Sequence, residues 1–180
     1  MQPEPVPYQP DSPTSSGSGA IRAEYRSAIG QFATGVTIVT TRLDGIDHAM
    51  TVNSFTSVSL DPLMVLFCAE KIARFHEAVL DAGVWAVSVL SEGAQDASNR
   101  FATRGRPLVG QLDGWPHHRG EYTGSVVFSA ALAAVECRTH AVFDGGDHSI
   151  VLGDVLGVSQ PHPEGSPLLY YEGRYGSVTR

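Results

Sequence analysis

Six or more β-rich segments, mostly joined by short turns, with only two or three short helical stretches among them, predict a mainly β fold closed as an antiparallel barrel. Too few helices are present to alternate with the strands of a βαβ sheet. Neither GxGxxG nor GxxxxGK(S/T) occurs, so the phosphate cradles of a dinucleotide-binding sheet and of a P-loop are both missing. At 180 residues, 42% hydrophobic and 17% charged, the chain has enough material for one domain with a sizeable core.

The first 19 residues carry five prolines and the run Ser15-Ser16-Gly17-Ser18-Gly19, too little apolar surface to offset the entropy of ordering them. They predict a disordered tail over 1–20 and a folded domain over 21–180. Ile21, Tyr25, Ala28, Ile29, Phe32 and Ala33 recur at helical spacing, and Gly35 stands where such a helix would end. Val36 to Thr41 is β-prone and leads through the turn signal Leu43-Asp44-Gly45 into a second strand, a hairpin. Leu63 to Cys68 is a continuous apolar run of strand length. Arg74 to Leu80 is helical in period and closed by Gly83. Val84 to Leu90 predicts a strand, and Glu92 to Ala102 a short helix with Ser91 as its N-cap. Arg104 to Gly120, rich in Gly and Pro, predicts an irregular loop in which His117 and His118 face solvent instead of a metal. Val126 to Phe143 and Ser149 to Val158 are long β-rich stretches joined by Asp144-Gly145-Gly146-Asp147-His148. Leu168 to Val178 closes the chain with Tyr170, Tyr171 and Tyr175.

Small hydrogen-bonding side chains concentrate between His48 and Pro62. Thr51, Asn53, Ser54, Thr56, Ser57 and Ser59 supply hydroxyls and an amide beside the apolar Met50, Val52, Phe55 and Val58. That mixture suits a ligand with a flat apolar body and a polar edge. Strand alternation would place Met50, Val52 and Ser54 on one face and Thr51, Asn53 and Phe55 on the other, and Pro62 forces a break before the next strand. A formal charge of -7, with 12 Lys and Arg and no basic run, argues against nucleic acid as a partner. Cys68 and Cys137 lie in apolar runs and read as buried small hydrophobes in a reducing compartment. No apolar run reaches the ~20 residues of a membrane helix and the N-terminus lacks a signal-peptide pattern, so a cytoplasmic protein is expected.

Four ordered motifs, Phe32-Ala33-Thr34-Gly35-Val36-Thr37-Ile38-Val39-Thr40, Met50 to Ser59, Asn99-Arg100-Phe101-Ala102 and Gly146-Asp147-His148, strongly resemble the flavin reductase-like family across Tyr25 to Val178. The resemblance implies a split β-barrel homodimer of the FMN-binding type that reduces FMN or FAD with NADH or NADPH. It also implies release of reduced flavin to a separate flavin-dependent monooxygenase. Carried over by position, Thr51, Asn53 and Ser54 would contact the isoalloxazine, with Val52 between them. Ser57 and Ser59 would lie along the ribityl and phosphate path, and His148 beside the nicotinamide. Cys68 and Ala69 belong to the expected cofactor-binding set, with Tyr175 added from the weaker candidates Tyr171, Arg174 and Tyr175, since terminal aromatics more often pack in a barrel than stack on a ligand. One departure stands out. Where the family often has Ser or Thr at the phosphate, this chain reads Glu70-Lys71-Ile72-Ala73-Arg74-Phe75-His76, so Lys71 and Arg74 are read either as the phosphate contacts or as the solvated start of a helix, and the choice between FMN and FAD stays open. A flavin-binding electron carrier or store without a nicotinamide site is the second reading.

Overall fold

The structure, a computed structural model, describes residues 18–178. Most of the expected tail therefore lies outside the described residues. Helix α1 (Ser18–Ile29) begins three residues before Ile21 and stops short of Phe32. There the backbone tightens, with the Gln31 N–H donating to Ala28 O at 3.1 Å and the Phe32 N–H to Ile29 O at 3.0 Å, which leaves Phe32 and Ala33 outside the helix.

Strand β1 (Thr34–Gly35) precedes the hairpin of β2 (Thr37–Leu43) and β3 (Ile46–Val52). Its turn residues Asp44 and Gly45 have φ of 50° and 79°, the left-handed pair that a two-residue hairpin needs. β4 (Thr56–Leu60) and β5 (Leu63–Glu70) form a second hairpin across Asp61 and cis-Pro62. Helix α2 (Arg74–Ala82) ends at Gly83, whose N–H donates to Val79 O from a left-handed φ of 66°. β6 (Val84–Leu90) follows, then a 3-10 turn (Glu92–Ala94) and α3 (Gln95–Ala102). Ser91 makes no side-chain cap; it precedes the 3-10 turn and bridges to Pro167, and Ala94 occupies the N-cap position of α3.

The segment expected to be all loop contains β7 (His117–Arg119), which pairs with β8 (Val126–Phe128). This pairing breaks the expected 126–143 strand at Ser129, so that β9 (Ala131–Gly145) begins afresh. His117 and His118 are exposed, as expected, though on a strand. β10 (His148–Ser159), β11 (Leu168–Tyr171) and β12 (Arg174–Ser177) complete the chain. Seven strands form one antiparallel sheet in the order β3-β2-β6-β9-β10-β5-β4, and β1, β11 and β12 form a smaller one.

The large sheet curls around an interior made by alternate residues. Val65, Phe67 and Ala69 point inward from β5 to meet Val39, Trp85, Val87, Cys137 and Val151, and α2 plugs the space with Phe75 and Val79. Trp85 stacks edge-on to Phe67 at 4.8 Å, and a Cβ at Gly153 would stand 2.4 Å from its ring, so β10 passes the indole only as glycine. Burial, followed by the charges of Glu136 and Asp154, pushes the Cys137 thiol up to about 12 and keeps it an inert apolar filler. A second cluster on the outer face packs α3 through Ala97 and Phe101 against Ile38, Ala49, Leu90 and Phe128. A side chain links the end strand β3 to β5, next to the other end strand β4: Ser54, just past β3, accepts the Cys68 N–H of β5 at 3.0 Å. The barrel is split there.

Candidate functional site

A cleft of about 830 Å³ opens at this split. Met50 to Ser54 form one wall, Cys68 and Glu70 of β5 the floor, Ala73 and the first residues of α2 one end, the 102–111 segment a strap, and His148, the ladder partner of Glu70, the lip beside that floor. β3 ends at Val52, so the expected alternation holds only to that point. Val52 and Met50 join the barrel interior while the Thr51 hydroxyl donates outward to Ser98 O at 2.7 Å. Phe55, expected beside Thr51, turns back to pack with Val52, because the chain leaves the ladder and is no longer bound to a period of two.

The strap is held by Arg106. Its Nη1 donates to Thr103 O at 2.7 Å, its Nε to Gln111 Oε1 at 3.1 Å and its Nη2 to Ala49 O of β3, with the guanidinium carbon 5.5 Å above the Phe101 ring. Gln111 in turn donates to Asp47 O at 2.6 Å. Burial, then the charges of Arg74 and Arg100, lower the Arg106 pKa from its usual value. Arg74, exposed at the start of α2, donates to Arg106 O at 2.5 Å, and Arg104 pairs with Glu70. His48 lies in the same lining. Burial and the Arg74 charge lower its pKa against the opposing pull of Asp47, so its imidazole stays neutral further into acid than usual. On a chain of net charge -7, Arg74 and Arg106 at the α2 end and strap of the cleft, beside an Arg104 already paired with Glu70, make a local basin for an anion.

At the lip beside Glu70, His148 is half-buried and its Nδ1 lies 2.7 Å from Asp147 Oδ1. The hydrogen bond to His148 and its charge lower the Asp147 pKa, so a carboxylate faces Nδ1 and Nε2 is the ring's remaining polar atom.

Of the expected residues, Thr51, Val52, Asn53, Ser54, Cys68, Arg74 and His148 line the cleft together. Cys68 is half-buried in the floor, not fully buried as its apolar run implied. Five others stand elsewhere. Ala69 is fully buried because the period of β5 turns it into the barrel as Cys68 turns out. Ser57 and Ser59 lie on the edge strand β4, where Ser59 Oγ accepts the Asp61 N–H at 3.2 Å. Lys71 is drawn to the β9–β10 turn, pairing with Asp144 and donating to Gly146 O at 2.7 Å. Tyr175 packs on Tyr170 behind α3, its hydroxyl 2.8 Å from Ser98 Oγ, and so supports the helix that receives Thr51. The Tyr171 hydroxyl donates to Gln31 at 2.9 Å, away from the cleft. Sequence reasoning missed His48, Tyr25, Arg106 and Gln111. The only available signal was a pair of arginines in a Gly/Pro loop, Arg104-Gly105-Arg106-Pro107.

Hydroxyls and an amide beside the apolar Met50, Val52 and Phe75, with guanidinium groups at one end, fit a ligand that has a flat ring system, a polar edge and an anionic tail. The family model of the flavin reductase like domain matches residues 29–179. The reductase subunit HsaB of a flavin-dependent monooxygenase from Rhodococcus jostii (strain RHA1) is 37% identical over 91% of this chain and 84% of its own. SmoA, an FMN reductase (NADH) from Agrobacterium fabrum (strain C58 / ATCC 33970), is 40% identical over 87% of this chain and 86% of its own. Among solved structures, the Streptomyces globisporus NADH:FAD oxidoreductase SgcE6, in complex with NAD and FAD fragments, superposes with a TM-score of 0.83 at 35% identity, over 93% of this chain and 98% of that one.

Proposed function

Because this chain belongs to the flavin reductase-like family, we propose that it is an NADH-dependent flavin reductase that delivers reduced flavin to a separate flavin-dependent monooxygenase. The observation that carries this reading is the cleft itself, where the Thr51–Ser54 wall, the arginine end and the His148 lip meet in one volume. When bound, the flavin supplies the hydride acceptor and the nicotinamide the donor, so no side-chain nucleophile is required. The chain's own residues bind and orient. Asn53 and Ser54 offer polar partners at the ring edge, Met50, Val52 and Phe75 bury its apolar body, and Arg74 and Arg106 hold the anionic tail. His148 Nε2 is the group available to the nicotinamide. FMN and FAD are both named for relatives, and two guanidinium groups suit one phosphate or a pyrophosphate. NADH, supplied in the cytoplasm, is the proposed donor there.

Titration with FMN and with FAD, read by quenching of flavin fluorescence, tests the binding half of this reading. Asn53→Ala and Ser54→Ala should each weaken binding by about two- to tenfold, the equivalent of ~0.5–1.5 kcal/mol for a lost hydrogen bond. Affinity unchanged in both variants would move the flavin away from this wall.

The active form is proposed to be a homodimer. Its support is the apolar stripe of α1, where Ile21, Tyr25 and Ile29 are all more than half exposed, together with the exposed Phe32 just after the helix and Phe143 at the β9–β10 tip. Sedimentation is expected to give twice the chain mass of 19.2 kDa. A monomer that reduces flavin at full rate would refute it.

A further inference from the structure

The turn between β9 and β10 is bound to the end of β5 by both the backbone and the side chain of one residue, Lys71. Asp144 to His148 connects two long strands through Gly145 and Gly146, the latter at φ 78°, a stretch with little stiffness of its own. The β5–β10 ladder ends at the pair Glu70–His148. Lys71 continues it by one bond, its N–H donating to Asp147 O at 3.0 Å. Its side chain then crosses the turn, where Nζ donates to Gly146 O at 2.7 Å and pairs with the Asp144 carboxylate. Lys71 is the only lysine in the sequence. It lies outside the cleft lining while the residue it braces, His148, lies inside.

We propose that Lys71 is a positioning residue for hydride transfer, clamping the β9–β10 turn onto the end of β5 and so fixing where the His148 imidazole stands at the cleft. This rests on the reading of the cleft as the place where flavin and nicotinamide meet. Two alternatives were available to a cation at this sequence position. A phosphate contact would need Nζ to face the α2 end of the cleft beside Arg74, and it faces the hairpin instead. An ordinary surface ion pair would leave activity untouched. The clamp differs from both in its target, because it holds the backbone on both sides of Asp147, and Asp147 in turn holds His148 Nδ1 at 2.7 Å.

The test compares Lys71→Met, Lys71→Arg, His148→Ala and the double variant Lys71→Met/His148→Ala, measuring FMN affinity, the KM and limiting rate for NADH, and Tm. Lys71→Met is expected to raise the KM for NADH, or lower the limiting rate, by about three- to tenfold, the effect of losing about one hydrogen bond's worth of alignment, with FMN affinity nearly unchanged. Lys71→Arg should recover most of the loss. If Lys71 works through His148, adding Lys71→Met to His148→Ala should cost nothing further. Losses that multiply in the double variant would overturn the proposal, as would a loss of FMN affinity alone, or a lowered Tm with wild-type kinetic constants. A wild-type protein that fails to reduce flavin would sink the functional reading and this proposal together. A working wild type with an indistinguishable Lys71→Met sinks only the latter.

Discussion

His148→Ala is expected to lower the efficiency of flavin reduction by NADH by about ten- to a hundredfold while flavin affinity stays nearly intact. The imidazole is not the hydride acceptor, so its loss removes orientation and leaves the chemistry in place. Each ~1.4 kcal/mol of lost transition-state stabilisation is tenfold in rate, which bounds the effect of one well-placed polar contact. The geometry assigns the loss to the nicotinamide side. His148 lines the cleft with its Nδ1 already engaged by Asp147 at 2.7 Å, which leaves Nε2 as the ring atom to orient the second ligand. Were the imidazole only a hairpin brace, Tm would fall and the kinetic constants of the folded protein would stay put. Stopped-flow reduction across NADH concentrations, measured beside Tm, separates the two.

Arg106→Met is expected to weaken flavin binding by about ten- to a hundredfold and to lower Tm. A hydrogen bond to a charged donor is worth about 1.5–3 kcal/mol, and this guanidinium ties Thr103 and Gln111 of the strap to Ala49 of β3. Without it, the Gln111 and Asp47 link must hold the strap alone. Methionine preserves much of the packing over Phe101, so the variant isolates the hydrogen bonds and the charge. Arg106→Lys should recover little, because an ammonium lacks the planar fork that reaches three acceptors at once. Flavin affinity equal to wild type in a merely less stable protein would reduce Arg106 to a structural tie.

The fold was legible in the sequence wherever one local rule acted. Asp44-Gly45 marked its hairpin because two left-handed residues suit few other roles, and Gly83 marked the end of α2 for the same reason. β5 was visible as an apolar run, but which of its residues face the cleft was not. Ala69 was expected at the ligand and lies in the barrel, since register between strands sets the inward face. The small strand β7 was hidden because its pairing with β8 is decided by tertiary contact, with Phe128 N–H taking Ser88 Oγ at 3.2 Å. The candidate site divides along the same line. Thr51 to Ser54 and His148 stood out as clustered polar residues or a glycine-flanked turn. Arg106 lies 57 residues from the Ala49 carbonyl it binds, a distance over which no pattern in the chain speaks. Lys71 shows the remaining difficulty: its type and place suggested a phosphate, and only the approach of the β9–β10 turn redirects it.

The central claim is that one cleft brings flavin and NADH together and lets the reduced flavin go. Anaerobic mixing of the protein with free FMN or FAD and NADH, followed by loss of the oxidised flavin absorbance and then by ultrafiltration, tests it directly. The account predicts reduction that turns over many flavins per chain, saturates with NADH, and leaves reduced flavin in the filtrate. A protein that binds flavin yet keeps it oxidised in the presence of NADH would contradict it and support a flavin carrier or store.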